Sequence, residues 1–395
     1  MRIQIIDFSG HPFQVQLSRE LARRGHVVRH VFTGSSETPK GDLIRRAEDP
    51  AGFEIGSVQL DERINKTNFV KRWSQERALG KLFAADVLGF RPELLICSNC
   101  PIETLARIAK AKRAVGARFL FWVQDLLGEA ASRVLSARLG LPGAAVGAHY
   151  ERVEGKLLRE ADHVVAISDD FIDILQNKYR IPRDKIDVIE NWSPIADIPQ
   201  FARNNEWATA NLPETGFRVI YSGTLGFKQD PALLLEIAST LEGCRVEVFS
   251  EGAAAAKLQS DAQARGVDNL QVRPWIPFSD LPKALASADL LVVVLEPDAG
   301  LFSVPSKVLT YLCAGRPILG SINRSNLAAK IISSSGAGVT HEPGEHAALI
   351  ASARDFMESP ERRTAAGDAG RAYAEDKFNI DSVGDRFETA IHKIN

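Results

Sequence analysis

SVPSKVLTYLCAGRPIL, residues 303–319, decides how the second half of this 395-residue chain is read. An apolar strand, DLLVVVLEP (289–297), runs into a loop ahead of it. Residues 303–305 open a helix, Gly315 stops it, and Pro317 begins the next strand. The first amides of a helix have no partner inside it, and the helix dipole favours negative charge in front of them. Ser306 adds a hydroxyl there and Lys307 a positive charge. Such a helix start suits a phosphate. The same residues also describe an ordinary β-loop-α connection with a serine cap.

Outward from this stretch the chain repeats one pattern. RIQIID leads into an amphipathic helix over 13–24, stopped by Gly25, and then the strand HVVRHVF. IGSVQL, ELLICS, RFLFWV, HVVAIS and KIDVIE follow. The pattern restarts with FRVIYSG at Phe217 and continues through RVEVFS, LQVRPW, DLLVVVL, RPILGS and AGVTH. Nearly continuous apolar strands alternating with helices predict an α/β protein with parallel sheets covered on both faces. The expected organisation is a Rossmann-like domain over 1–195, a Pro- and Asn-rich hinge over 196–216, and a second Rossmann-like domain over 217–375. A last helix over 376–395 is placed to cross back to the first domain. G-x-G-x-x-G is absent after the first strand, which reads DFSGHPFQ, and no acidic residue ends the second. Both absences weigh against a dinucleotide cofactor.

Composition excludes other classes. The chain is 45% hydrophobic and 25% charged, as in soluble globular proteins. A net charge of −2 gives no electrostatic case for nucleic acid. No apolar run reaches membrane-spanning length, and the strand-like N-terminus lacks the core of a signal peptide, so a cytoplasmic location is expected. Cys97 and Cys100 form a C-x-x-C without a second Cys or His pair at metal spacing; reduced thiols at a strand end are expected.

Several residue sets can carry chemistry. FRVIYS ends in GTLGFKQD, where Gly223 and Thr224 start a turn that lets backbone approach a phosphate, and Lys228 can neutralise it. Glu296 ends the central strand of the second half, as a sugar contact or a rim charge. Gln124 and Asp125 stand at the C-terminal end of RFLFWV, the edge that faces ligands in open α/β sheets. Asp125 can bind a hydroxyl there or cap the next helix. His11, the titratable side chain at the tip of DFSGHPF, can act as a base or as a hydrogen-bond donor to phosphate or sugar. The segment 65–83 mixes Phe69, Val70, Trp73, Leu79, Leu82 and Phe83 with Lys66, Lys71, Arg72, Arg77 and Lys81. It fits either the surface of an anionic bilayer or a helix packed on the sheet with a solvated basic face.

Pro305, Ser306, Lys307, Tyr311, Ala314, Gly315 and Pro317 together resemble the donor-site motif of family 4 glycosyltransferases, and within them the subgroup that builds bacterial surface polysaccharides. The resemblance implies a GT-B fold, two Rossmann-like domains facing a cleft, with the donor on the second domain and the acceptor on the first. The donor would be a nucleotide diphosphate sugar, bound as substrate with no further cofactor. It implies a donor site of Gly223, Thr224, Lys228, Trp275, Ile276, Glu296, Pro305, Ser306, Lys307 and Thr310. Trp275 and Ile276 sit where the fold offers the base an apolar wall and backbone amides, although Trp275 also reads as core. Asp125, His11 and Gln124 become the catalytic face; many family members have His–Asp where this chain has Gln–Asp. Two positions depart. Thr310 replaces a Glu that usually holds the ribose hydroxyls, and Ser250 replaces one of two glycines in FSEG.

Membership implies transfer with retention of configuration to a saccharide or lipid-linked saccharide, at the inner face of the cytoplasmic membrane. Same-face attack, in which the leaving diphosphate takes the acceptor proton, leaves the protein to position and stabilise charge. No D-x-D triplet is present to hold a metal, so no metal is expected and Lys228, Lys307 and helix amides must supply the counter-charge. A nucleotide-sugar 2-epimerase of the same fold is an alternative, but no acid–base carboxylate set matches it. A non-catalytic nucleotide-sugar-binding subunit is another, kept open by Thr310.

Overall fold

The computed structural model describes residues 1–36, 43–65, 68–98, 100–214, 216–226, 229–296 and 305–394. The chain divides into two compact units: Met1–Asn191 with Ile380–Asn395, and Trp192–Asn379.

Seven parallel strands build the first unit: β1 (Arg2–Asp7), β2 (Val27–Thr33), β3 (Phe53–Val58), β4 (Leu94–Ser98), β5 (Arg118–Val123), β6 (His163–Ala166) and β7 (Ile186–Val188). Their order is β3-β2-β1-β4-β5-β6-β7. The helices are α1 (Pro12–Arg23), α2 (Phe69–Phe90), α3 (Ile102–Val115) and α4 (Leu127–Glu160). Every residue of β4 is buried, as expected of a strand covered on both faces.

α4 is a hairpin rather than a rod. Gly140 leaves the helical region (φ 60°, ψ −136°) and Pro142 follows. The two arms then fold onto each other through small residues. A Cβ on Gly147 would lie 2.5 Å from the Cα of Ser132, and one on Gly143 would lie 1.9 Å from the carbonyl oxygen of Leu135.

The second unit repeats the plan with β8 (Phe217–Ser222), β9 (Cys244–Phe249), β10 (Leu270–Arg273), β11 (Leu290–Val294), β12 (Ile318–Ser321) and β13 (Gly338–His341), all parallel in the order β10-β9-β8-β11-β12-β13. Its helices are α5 (Glu206–Asn211), α6 (Ala232–Thr240), α7 (Ala253–Ala264), α8 (Leu281–Ala286), α9 (Lys307–Ala314), α10 (Leu327–Ser335), α11 (His346–Glu358) and α12 (Pro360–Lys377). Leu233, Ile237, Val246, Val248, Val292 and Phe356 centre its core.

The change of unit falls at Asn191–Trp192, and residues 196–216, expected as a hinge, pack within the second unit. Arginines hold their carbonyls there. Buried Arg218 donates to the Pro213 carbonyl at 2.9 Å, and Arg371 to the Ile198 carbonyl at 2.8 Å. Arg203 makes a two-point contact with Asp289 at 2.8 and 2.7 Å. A stretch without hydrophobic periodicity is thus fixed by polar contacts, which periodicity does not register.

The last helix, α13 (Ile380–His392), belongs to the first unit. Arg24 donates to Asp385 at 2.6 Å, His26 Nε2 lies 2.8 Å from Glu388, and Lys393 donates to Asp187 at 2.6 Å. Phe387, fully buried, meets the Trp122 ring edge-on at 4.8 Å between centroids, and Phe13 meets the same ring at 5.7 Å. Phe387→Ala should therefore cost the first unit about 3–5 kcal/mol, as large-to-small changes in a closed core do. Urea unfolding checks this; a loss below about 1 kcal/mol would mean that α13 is not seated on that core.

Candidate active site

In an open parallel sheet, ligands sit beyond the C-terminal strand ends where the strand order reverses. In the first unit that point lies between β1 and β4; in the second, between β8 and β11. Loop 8–11 follows β1, loop 223–226 follows β8, and Glu296 follows β11. Topology thus brings most of the expected residues to two places, one in each unit.

Asp7 ends β1, opposite Ser98 in register, and is fully buried. Gly10, at φ +78°, bends the chain back so that His11 can precede Pro12 at the start of α1. The Asp7 carboxylate accepts the Ser9 N–H at 3.0 Å and the His11 N–H, and faces His11 Nδ1 at 3.2 Å. Burial alone would raise the pKa of Asp7; attraction and hydrogen bonds from His11 bring it below the usual carboxylate value. Burial alone would lower that of His11; Asp7, then Asp125, bring it above the usual imidazole value. A raised value favours the imidazolium, which gives a proton or a hydrogen bond rather than taking one. Asp7 did not stand out in the sequence; its only signal is the i, i+4 spacing to His11.

Asp125 shares a cavity lining with Ser9 of that loop. Gln124 is buried and exchanges two amide hydrogen bonds with Asn191, at 3.1 and 2.5 Å. A cavity of 140 Å³ opens beside them, lined by Ser9, Cys100, Trp122, Gln124, Asp125 and Glu154. Cys97 and Cys100 are buried free thiols, and burial pushes the Cys97 thiol well up.

In the second unit Gly223 has φ +137°, which strongly favours glycine. A Cβ there would lie 3.1 Å from Lys307 Nζ. That nitrogen is shut off from solvent, has no hydrogen-bond partner among the described residues, and lies 3.6 Å from the centre of the Tyr221 ring. Burial lowers its pKa to about 7. Tyr311 ties α9 to the turn by accepting the Ser222 N–H at 2.9 Å, and Tyr221 donates to the Thr224 carbonyl at 2.8 Å. Ser250, the departure from two glycines, accepts the Leu225 N–H at 3.1 Å and so helps shape the same turn.

Ser306 and Thr224 are exposed, and Pro305 and Glu296 half-buried. α9 begins at Lys307, with Ser306 at its N-cap making no side-chain cap. The Thr310 hydroxyl lies 3.4 Å from that of Ser193. Trp275 and Ile276 are half-buried rather than core, and the Trp275 indole nitrogen is buried without a partner among the described residues. Lys228 lies outside the described residues.

Two family models match, one for each unit: a glycosyl transferase 4-like domain over residues 11–192, and glycosyl transferases group 1 over 203–373. The chain belongs to the family 4 glycosyltransferases. A curated relative of the transferase is WcaI of Escherichia coli (strain K12), which carries the name of a colanic acid biosynthesis glycosyl transferase. It is 27% identical over 78% of this chain and 73% of its own. The GT-B fold follows from solved structures. Sucrose-phosphate synthase of Thermosynechococcus elongatus superposes with a TM-score of 0.76 at 15% identity, covering 100% of this chain and 99% of its own. HepE of Anabaena, solved with UDP-glucose, gives 0.70 at 15% identity over 99% of each chain.

The transferase's Asp7–His11 pair sets a pH window for stability. Asp7, lowered, stabilises above its ordinary 3.8 and less as pH falls; His11, raised, stabilises below its ordinary 6.5 and less as pH rises through its folded value. Asp7→Asn should therefore cost most near about pH 5 and less on either side. Urea midpoints across pH read this, and a gap that stays flat would show the pair to be uncharged.

Proposed function

We propose that the protein transfers a sugar from a nucleotide diphosphate sugar to a saccharide or lipid-linked saccharide, with retention, in surface polysaccharide synthesis. The observation that carries the reading is Lys307: a buried ammonium without a described partner, beside a glycine turn at the reversal point of the second sheet. A diphosphate would supply the missing charge, and the first amides of α9 would share it. Binding there stabilises the leaving group, which is where charge grows as the glycosidic bond breaks. On the first unit, Asp125 and Gln124 would hold acceptor hydroxyls, and His11 as imidazolium would donate a hydrogen bond. HepE, crystallised with UDP-glucose, and the colanic acid name of WcaI support the donor and acceptor classes.

A peripheral contact with anionic membrane is part of the proposal. In α2, Leu79 and Phe83 are buried, which assigns them to the core, whereas Phe69, Val70 and Trp73 remain exposed. Arg77 covers the Trp73 ring at 4.3 Å, and Lys71 pairs with Glu62 at 2.7 Å. Lys66 lies outside the described residues. Among the described residues no helix is long and apolar enough to cross a membrane.

Lys307 makes the donor half testable without an acceptor. With a pKa of about 7, it is largely neutral at pH ~8, and a bound diphosphate should return a proton to it. Calorimetry with UDP and GDP in two buffers of different ionisation enthalpy should show proton uptake. Lys307→Met should abolish the uptake and weaken binding by about 1–3 kcal/mol. Equal heats in both buffers would remove Lys307 from the site.

Turnover tests the whole reading. A panel of nucleotide sugars with membrane extract should yield a glycosylated product in the presence of EDTA. Anionic vesicles should bind the protein, less so as salt rises. Sugar transfer that stops with chelation and returns with manganese would overturn metal independence.

A further inference from the structure

α4 begins without a local cap: Leu126 makes no side-chain cap, so the first N–H groups need another acceptor. A carboxylate reaches that helix start from the far arm of the same hairpin. The Glu154 carboxylate, 3% exposed, comes up against the backbone at Gly128, where the N–H groups of Gly128 and Leu127 favour its ionised form. The Tyr179 hydroxyl donates to it at 2.6 Å. Gly128 makes the approach possible, because a Cβ there would lie 2.7 Å from Glu154 Oε2. Gly155 does the same for the Tyr179 ring, at 2.7 Å from its Cδ1. Lys178 pairs with Glu129 of the first arm and with Glu151 of the second, so the two arms close over this contact.

We propose that Glu154 is a positioning residue, which holds the start of α4 and thereby the preceding Gln124–Asp125 pair against the cavity and His11. Its carboxylate stands among the groups lining that cavity. A carboxylate at a helix start also meets the favourable end of the dipole. Glu154 has a raised pKa because burial outweighs the hydrogen bonds from Tyr179, Gly128 and Leu127 and the attraction of Lys178. Its contribution is therefore mainly that of an acceptor fixed in place, and a neutral acceptor of the same shape can serve. The inference rests on the working face assigned to Asp125 and His11, but its first readout needs no substrate.

That readout is the NMR titration of His11 in the full chain, identified by the signal lost in His11→Gln. His11 Nδ1 lies 3.2 Å from Asp7 of β1, and Asp7 and then Asp125, in the turn after β5, raise its pKa against the lowering by burial. Glu154→Ala should free the turn, move Asp125 away, and lower the His11 pKa. Glu154→Gln, whose amide oxygen can still accept, should restore most of it, and Tyr179→Phe should fall between. In the membrane-extract assay, Glu154→Ala should lower kcat by about ten- to a hundred-fold, with UDP and GDP affinity unchanged. Thermal melting separates an unfolded Glu154→Ala from an active-site effect, and Tyr179→Phe carries the test if that variant does not fold. A wild-type His11 titration in a folded Glu154→Ala, or in Tyr179→Phe should it be the only folded one, would overturn the proposal. A Glu154→Gln as damaged as Glu154→Ala would overturn it too. Failure of the turnover assay with the titration as expected would count against glycosyl transfer and leave the positioning role standing.

Discussion

A parallel sheet that grows outward on both sides of its first strand must reverse its order once, and at that reversal the neighbouring connections leave in opposite directions. The gap between them is the place where loops can present backbone amides and side chains without a helix lying over them. Both sheets obey this, at β1/β4 and at β8/β11. The Asp7–His11 loop, the Gly223 turn and the strand that leads to Glu296 lie at those two points.

The two sites handle charge in opposite ways. In the first unit a buried carboxylate meets a histidine and two backbone N–H groups, so the charges are matched internally. In the second, a buried ammonium faces an aromatic ring and no described acceptor. A paired charge keeps its ionised form on burial, whereas an unpaired one shifts toward neutrality. The first arrangement orients a side chain; the second leaves a buried amine without a described counter-charge. The tyrosines around Lys307 belong to the same design, since Tyr311 and Tyr221 fix the turn by hydrogen bonds to its backbone.

The departures from the family pattern read differently once placed. Ser250 is an acceptor for the turn and so a working part of it. Thr310 lies near Ser193, a contact between hydroxyls that a longer carboxylate would have to displace.

Much of the fold was legible because it is written in short-range patterns. Short continuous apolar runs such as Leu290–Val294, alternating with helices, fit strands covered on both faces, and Gly315 ends α9 at φ +64°. The helix-start lysine and the strand-end Gln124–Asp125 were legible for the same reason, since position on a β-α unit follows from local order. The segment 196–216 was not, because arginine–carbonyl contacts hold it and leave no period in the sequence. Nor was Glu154, which looks like one more charge on a polar helix face until Gly140 folds the hairpin and brings it against Gly128 and the Tyr179 hydroxyl. The sequence by itself determined the two β-α repeats, their strand ends and the residue types offered there. Only the tertiary structure decided which of those residues carry their charge alone and which are held by partners, because burial and pairing are properties of neighbours far apart in the chain.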